Sequence, residues 1–172
     1  MSAKPTFAEL FAACQSSAVH LEMRDSYTPT ATTYLAWKKG YRADPTDRKT
    51  WWRPFLDQVV NAVERGVTVR RVRIISEPAS EYTRFLYETA FTNIEAGEDI
   101  RWLSRSDASR LRLPGNDFWL FDNELVQFNH FDGNGNPITK ENVKSPDVVE
   151  FCAEAFEAAW KLATPHDEYH LI

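Results

Sequence analysis

The side chains able to do chemistry fall into four groups. His130 shares one face of an alternating segment with Val126, Phe128 and Asp132. A histidine that attacks a phosphodiester needs a cation close by to hold the phosphate. Two positions on stands Asp132, whose carboxylate has the wrong sign for that task. A hydrogen-bonded structural histidine is therefore the preferred reading of His130. The tail Pro165-His166-Asp167-Glu168-Tyr169-His170 gathers imidazoles and carboxylates of the kind that bind zinc, nickel or iron. No HExxH spacing accompanies it, so docking of the tail onto the domain is expected and metal binding is not. The turn from Asp132 to Asn136 begins like a calcium loop. It then fails, with Pro137 at the sharp-turn position and Val143 where a bidentate glutamate belongs.

The fourth group is a set of arginines and glutamates in the middle third. Arg71 and Arg73 alternate with apolar residues on the face that carries Val67, Val69 and Ile75, and Glu77 follows where that strand ends. Glu81, Arg84 and Glu88 share a helix face at three- and four-residue spacing. Two readings stay open. An ion-pair network joining helix to sheet is the commoner fate of such a pattern. Alternatively, the strand ends open on a cleft, where arginine forks suit carboxylate or phosphate; Arg73, Glu77, Arg84 and Arg101 then form a ligand-binding site. Cys14 and Cys152 sit on apolar helical stripes and are expected as buried free thiols. Trp37, Trp51 and Trp52 suit either core packing or a contact surface. There is no Gly-x-Ser-x-Gly elbow, Walker loop or glycine-rich dinucleotide turn, and no cofactor is expected.

These groups need elements to position them. Thr6 and Glu9 form a capping box that opens a helix over about 6–15. Residues 17–24 alternate as a half-buried strand, with Val19, Leu21 and Met23 opposite His20, Glu22 and Arg24. Residues 25–50, broken by Pro29, Gly40 and Pro45, are too aromatic for disorder and predict an ordered excursion with a helical turn around 31–39. Thr50 caps a second helix that ends at Gly66, and Val67–Ile75 is a strand. Helical spacing returns over 80–94, a short strand covers 100–103, and 104–116 holds a helical turn and a Pro-Gly-Asn turn. Phe118–Phe121 is apolar on both faces, and Asp122-Asn123 turns it into a hairpin with Leu125–Phe131. Ser145-Pro146 opens a closing helix. The sum is an α/β chain (α+β being the alternative): one mixed sheet with helices packed on it, a C-terminal hairpin and a closing helix, in a single globular domain over residues 1–172.

The charge balance, 20 basic against 25 acidic residues, argues against a general polyanion binder, although a local basic site stays open. No direct nucleic-acid binding is expected. No apolar run is long enough to span a membrane and no signal pattern opens the chain, so a cytoplasmic protein without membrane contact is expected.

The runs Arg71-Val72-Arg73-Ile74-Ile75-Ser76-Glu77-Pro78, Ala96-Gly97-Glu98-Asp99-Ile100-Arg101-Trp102-Leu103 and Asp117-Phe118-Trp119-Leu120-Phe121-Asp122 carry a resemblance. His20–Tyr27 upstream and Ala163–Tyr169 at the end extend it. Together they resemble an actinobacterial domain family of unknown function found as companions of helix-turn-helix regulators. The hairpin-and-helix ending is similar, more loosely, to sensor domains with a degenerate phospholipase-D-like fold. That resemblance implies a non-catalytic accessory or sensor domain in bacterial transcriptional regulation, with a helix-turn-helix or other protein partner, or a small polar ligand. The alternative is a phosphodiesterase-like hydrolase using His130 or His166 with the Glu77, Arg84 and Arg101 cluster.

Overall fold

A computed structural model describes residues 5–172. The first helix, α1 (Phe7–Ala13), starts where the capping box predicts: the Thr6 hydroxyl accepts from the Glu9 amide while the Glu9 carboxylate accepts the Thr6 amide at 2.6 Å. β1 (Ser17–Glu22) follows. The excursion after it holds α2 (Thr32–Lys38), which ends at Gly40 with φ +94°, and a 3-10 turn at Arg48–Thr50. The next helix, α3 (Pro54–Glu64), is flanked by Arg53, not Thr50. The Thr50 hydroxyl instead donates to the Asp47 carbonyl inside the preceding turn, and Pro54 occupies the first helical position, where its missing N–H costs nothing.

β2 (Thr68–Ile75) leads to α4 (Glu81–Thr89) and α5 (Phe91–Glu95), two helices broken at Ala90 where the periodicity predicts one. β3 (Asp99–Ser104) and the short α6 (Arg105–Ala108) come next. β4 (Phe118–Phe121) and β5 (Leu125–Phe131) form the expected hairpin through Asp122 and Asn123, both at positive φ as a two-residue turn requires. The sequence reading omits β6 (Pro137–Val143), the third strand of this meander. α7 (Pro146–Leu162) closes the fold, and a two-residue strand, β7 (Thr164–Pro165), pins the tail to β3.

One mixed sheet results, in the order β6-β5-β4-β1-β2-β3-β7, with β1, β2 and β3 parallel and the rest antiparallel. The expected α/β class is the one observed. Strand alternation sorts side chains to two faces. Val19, Leu21, Val72, Ile74 and Leu120 pack under α7 against Cys152, Phe156 and Ala159. On the other face Ala18, Val69, Trp119 and Phe121 meet α1 and α3, while Ile100 and Trp102 meet α4 and the tail. This second face also carries His20, Glu22, Arg71 and Arg73, and it is there that the charges gather. Among the described residues no helix is long and apolar enough to cross a membrane.

Candidate ligand site

The parallel register sets Glu22 of β1 beside Arg73 of β2, and His20 beside Arg71. Glu22 is thereby clamped: one carboxylate oxygen lies 2.6 Å from Arg71 Nη1 and the other 2.6 Å from Arg73 Nε. Arg71 Nε lies 2.6 Å from Glu98, whose second oxygen accepts from Asn93 Nδ2 at 2.6 Å. All five residues are buried. Burial alone would raise the Glu22 carboxyl, but Arg71 and Arg73 outweigh it and hold it well below the carboxylate range. Burial likewise opposes the charge of Arg71, and Glu98 and Glu22 more than offset it. His20 stacks on Trp119 with ring centroids 4.2 Å apart, and neither ring nitrogen has a hydrogen-bond partner among the described residues. Burial, with Arg71 next, pushes its pKa well below the usual value and keeps the imidazole neutral.

Beside this network lies a cavity of about 680 Å³. The excursion lines it with Trp37 and Tyr41, and Trp51 and Trp52, just after the excursion, line it as well. α4 and α5 supply Phe85, Leu86 and Phe91, and β2 contributes Arg73. α2 is held on α4 by packing of Tyr34 and Trp37 against Phe85. Polar ties reinforce it, from Trp37 Nε1 to Glu88 at 2.7 Å and between Lys38 and Glu81 at 3.0 Å. Arg53 reaches the same space and donates to Thr92 Oγ1 at 2.9 Å and Asn93 Oδ1 at 2.5 Å. No carboxylate among the described residues pairs with it. Desolvation, with Arg71 nearby, disfavours its charge, yet a guanidinium keeps its proton at physiological pH. Three arginines therefore share two glutamates, and the cavity wall keeps one positive charge in excess. A shallower hollow of about 430 Å³ beside Glu124, Lys144 and Glu150 has no aromatic lining.

The expected site residues are dispersed. Arg73 lines the cavity. Glu77 is exposed, and its carboxylate accepts the hydroxyl of Tyr169. Arg84 is exposed on α4. Arg101 lies on the opposite face of the sheet, its guanidinium 4.0 Å from the centre of the Trp160 ring. The two histidines of the hydrolase reading stand far apart in the strand order. His130 on β5 lies 3.1 Å from Glu141 of β6, and His166 follows β7, its Nδ1 accepting from Trp102 Nε1 at 3.0 Å. Glu81 and Glu88 pair with Lys38 and Arg42 of the excursion rather than with the sheet. The Asp132 carboxylate folds its own loop by accepting the amides of Asn134 and Asn136. Both cysteines are free and buried, their thiols pushed up to about 11 by burial. No cluster of metal-ligating side chains occurs among the described residues.

Sequence reasoning missed Glu22, Glu98, Asn93 and Arg53 as members of the site. Alternation does set Glu22 and Arg71 on definite faces, but only the register between β1 and β2 makes those faces one.

Residues 5–171 match a family described as a domain of unknown function, DUF6879. The chain belongs to that family. No curated protein matches the sequence at a significant level. Among solved structures, this DUF6879 chain is similar to Nuc from Salmonella typhimurium, a phospholipase D family member. The TM-score is 0.52 at 14% identity, over 92% of this chain and 86% of that one. It is also similar to TrmBL2, an archaeal chromatin protein with a novel mode of DNA binding, at TM-score 0.50 and 17% identity over 91% of this chain. The DUF6879 chain spans about half of TrmBL2, 47% of its length. Identities this low carry the fold alone. They nonetheless correct one expectation, that of a helix-turn-helix or other partner with no direct nucleic-acid contact by this chain. The same fold lies within a DNA-binding protein, so net charge does not exclude such contact.

Proposed function

We propose that this chain is a non-catalytic sensor domain that takes a small ligand into the cavity between the excursion and α4–α5. The observation that carries the reading is the cavity itself. It is of the size that encloses a drug-sized molecule and is lined by rings, with a few convergent polar groups. Occupancy would act on the outside through α2, which the cavity residues join to α4. The test is ligand-observed NMR with a mixture of drug-sized aromatic compounds, comparing the native chain with Ala36→Trp, which fills the space. Compounds that bind the native chain and lose contact with the filled, still-folded variant support the reading. A true ligand at a hundredfold excess over its Kd also stabilises the fold by about 2.7 kcal/mol. Equal behaviour of the two proteins, or no binder at all, overturns it.

A second reading, direct contact with nucleic acid, has its own support. Besides the likeness to TrmBL2, residues 38–53 hold six basic side chains against two acidic ones. Lys39, Arg48 and Lys49 are exposed and make no ion pair among the described residues. Phosphate contacts are strongest at low salt. A duplex gel shift at low salt that Arg48→Glu with Lys49→Glu abolishes would favour this reading, and no shift at any salt would remove it.

A further inference from the structure

Resting on the sensor reading, we infer that the ligand is an aromatic anion whose oxyanion, carboxylate or phosphate, sits between Arg53 and Arg73. Arg73 is more than nine-tenths buried yet lines the cavity. Its Nε is taken by Glu22 and its Nη1 by the carbonyl of Leu86, which leaves Nη2 with no hydrogen-bond partner among the described residues. Arg53 spends both terminal nitrogens on neutral acceptors, Thr92 and Asn93, and the carboxylate beyond them, Glu98, is bonded to Asn93 and Arg71 and not to Arg53. A guanidinium held without a directly paired counter-ion in a desolvated wall is costly, and an anion entering beside it lowers that cost.

The sign follows from the network behind it. Glu22 and Glu98 are both already committed to Arg71, and Glu22 to Arg73 as well, so neither is free to swing over to Arg53. The carboxylate among the cavity's lining residues, Glu88, is paired with Arg42 at 2.9 Å, and the same oxygen accepts from Trp37. A cationic ligand would meet a carboxylate whose charge Arg42 already balances, and a neutral one would leave the excess positive charge where it is. The body of the ligand is set by Trp37, Trp51, Phe85 and Phe91, rings that stack on a flat apolar frame better than on a polar one.

Two fluorescent probes of one skeleton separate charge from shape: anilinonaphthalene sulfonate, an aromatic monoanion, and phenylnaphthylamine, its uncharged counterpart. The native chain is expected to bind the anionic probe about tenfold or more tightly than the neutral one, a difference of about 1.4 kcal/mol. Arg53→Gln should erase that preference while keeping the neutral probe, and Arg53→Lys, which keeps the charge, should retain most of it. Circular dichroism and cooperative melting show that each variant is folded. Indole acetate and phenyl phosphate as competitors then tell a carboxylate from a phosphate. Equal binding of the two probes, with no effect of Arg53→Gln, overturns the anion inference and leaves the cavity reading standing. If neither probe binds, or Ala36→Trp displaces neither, both fall.

Discussion

Glu22 is the carboxylate on which two guanidiniums depend, and no other acidic group stands ready to replace it. Taking it away leaves Arg73 buried without a counter-ion and Arg71 with Glu98 alone. Removing one partner of a buried ion pair typically costs about 3–5 kcal/mol, far more than the pair contributes over an apolar replacement. Glu22→Gln should therefore lower unfolding stability by that amount at neutral pH, measured by urea titration. The pH dependence has a definite sign. The folded carboxyl titrates well below its ordinary value of 4.5. Its contribution is complete above that value and drains away as the pH falls towards the folded pKa. The deficit of Glu22→Gln should accordingly shrink in acid, and a deficit that stays constant down to the acid transition would contradict this account. Asp117 behaves differently. Burial, with the Glu22 charge nearby, lifts its carboxyl to about 6 although it accepts the Tyr27 hydroxyl and the Met23 amide. The shifts at the two carboxylates are opposite because bonded guanidiniums outweigh burial at Glu22, while at Asp117 burial and the nearby Glu22 charge prevail.

At the scale of elements, the α2 part of the excursion is fastened to the fold through α4. Its hold on α4 combines a ring cluster of Tyr34, Trp37, Tyr82 and Phe85 with exposed ion pairs of the kind worth under about 1 kcal/mol each. The rings therefore carry the attachment. Trp37→Ala should raise hydrogen exchange and protease cutting across residues 31–50 while the exchange of β1–β3 amides, read by mass spectrometry, stays near native. Equal loosening of the central strands would mean that the excursion is part of the core. The same piece was the least legible in the sequence. Its aromatic content excludes disorder and places a helical turn correctly, but nothing local states which surface Trp37 or Trp51 covers. Helix ends were legible where the chain states them in a few residues, as Thr6 and Glu9 do. The start of α3 was not, because a threonine that would cap a helix can equally close the turn before it. The break at Ala90 was hidden too, since the apolar spacing runs through it unaltered.

For the whole molecule, the class of fold was readable because alternation and helical spacing follow one another along most of the chain. The site was readable only in part. Arg71 and Arg73 carry their face in their spacing, but Arg101 joined them on the expectation of a cleft at the strand ends, and the parallel register turns it to the other side. β6 escaped notice for a related reason: Pro137–Val143 is exposed along most of its length, so it has no apolar stripe to announce it. That exposure has a consequence of its own. β6 is the outer border of the sheet, with Ile138 two-thirds open to solvent, while the far border is covered over only two residues by β7. Unpaired backbone groups on a border strand invite a second chain to add on, and the usual guards are proline and charge. Pro137, Lys140 and Glu141 stand along this border, so replacing all three with threonine should bring on concentration-dependent association, read by light scattering, that the native chain lacks at the same concentration.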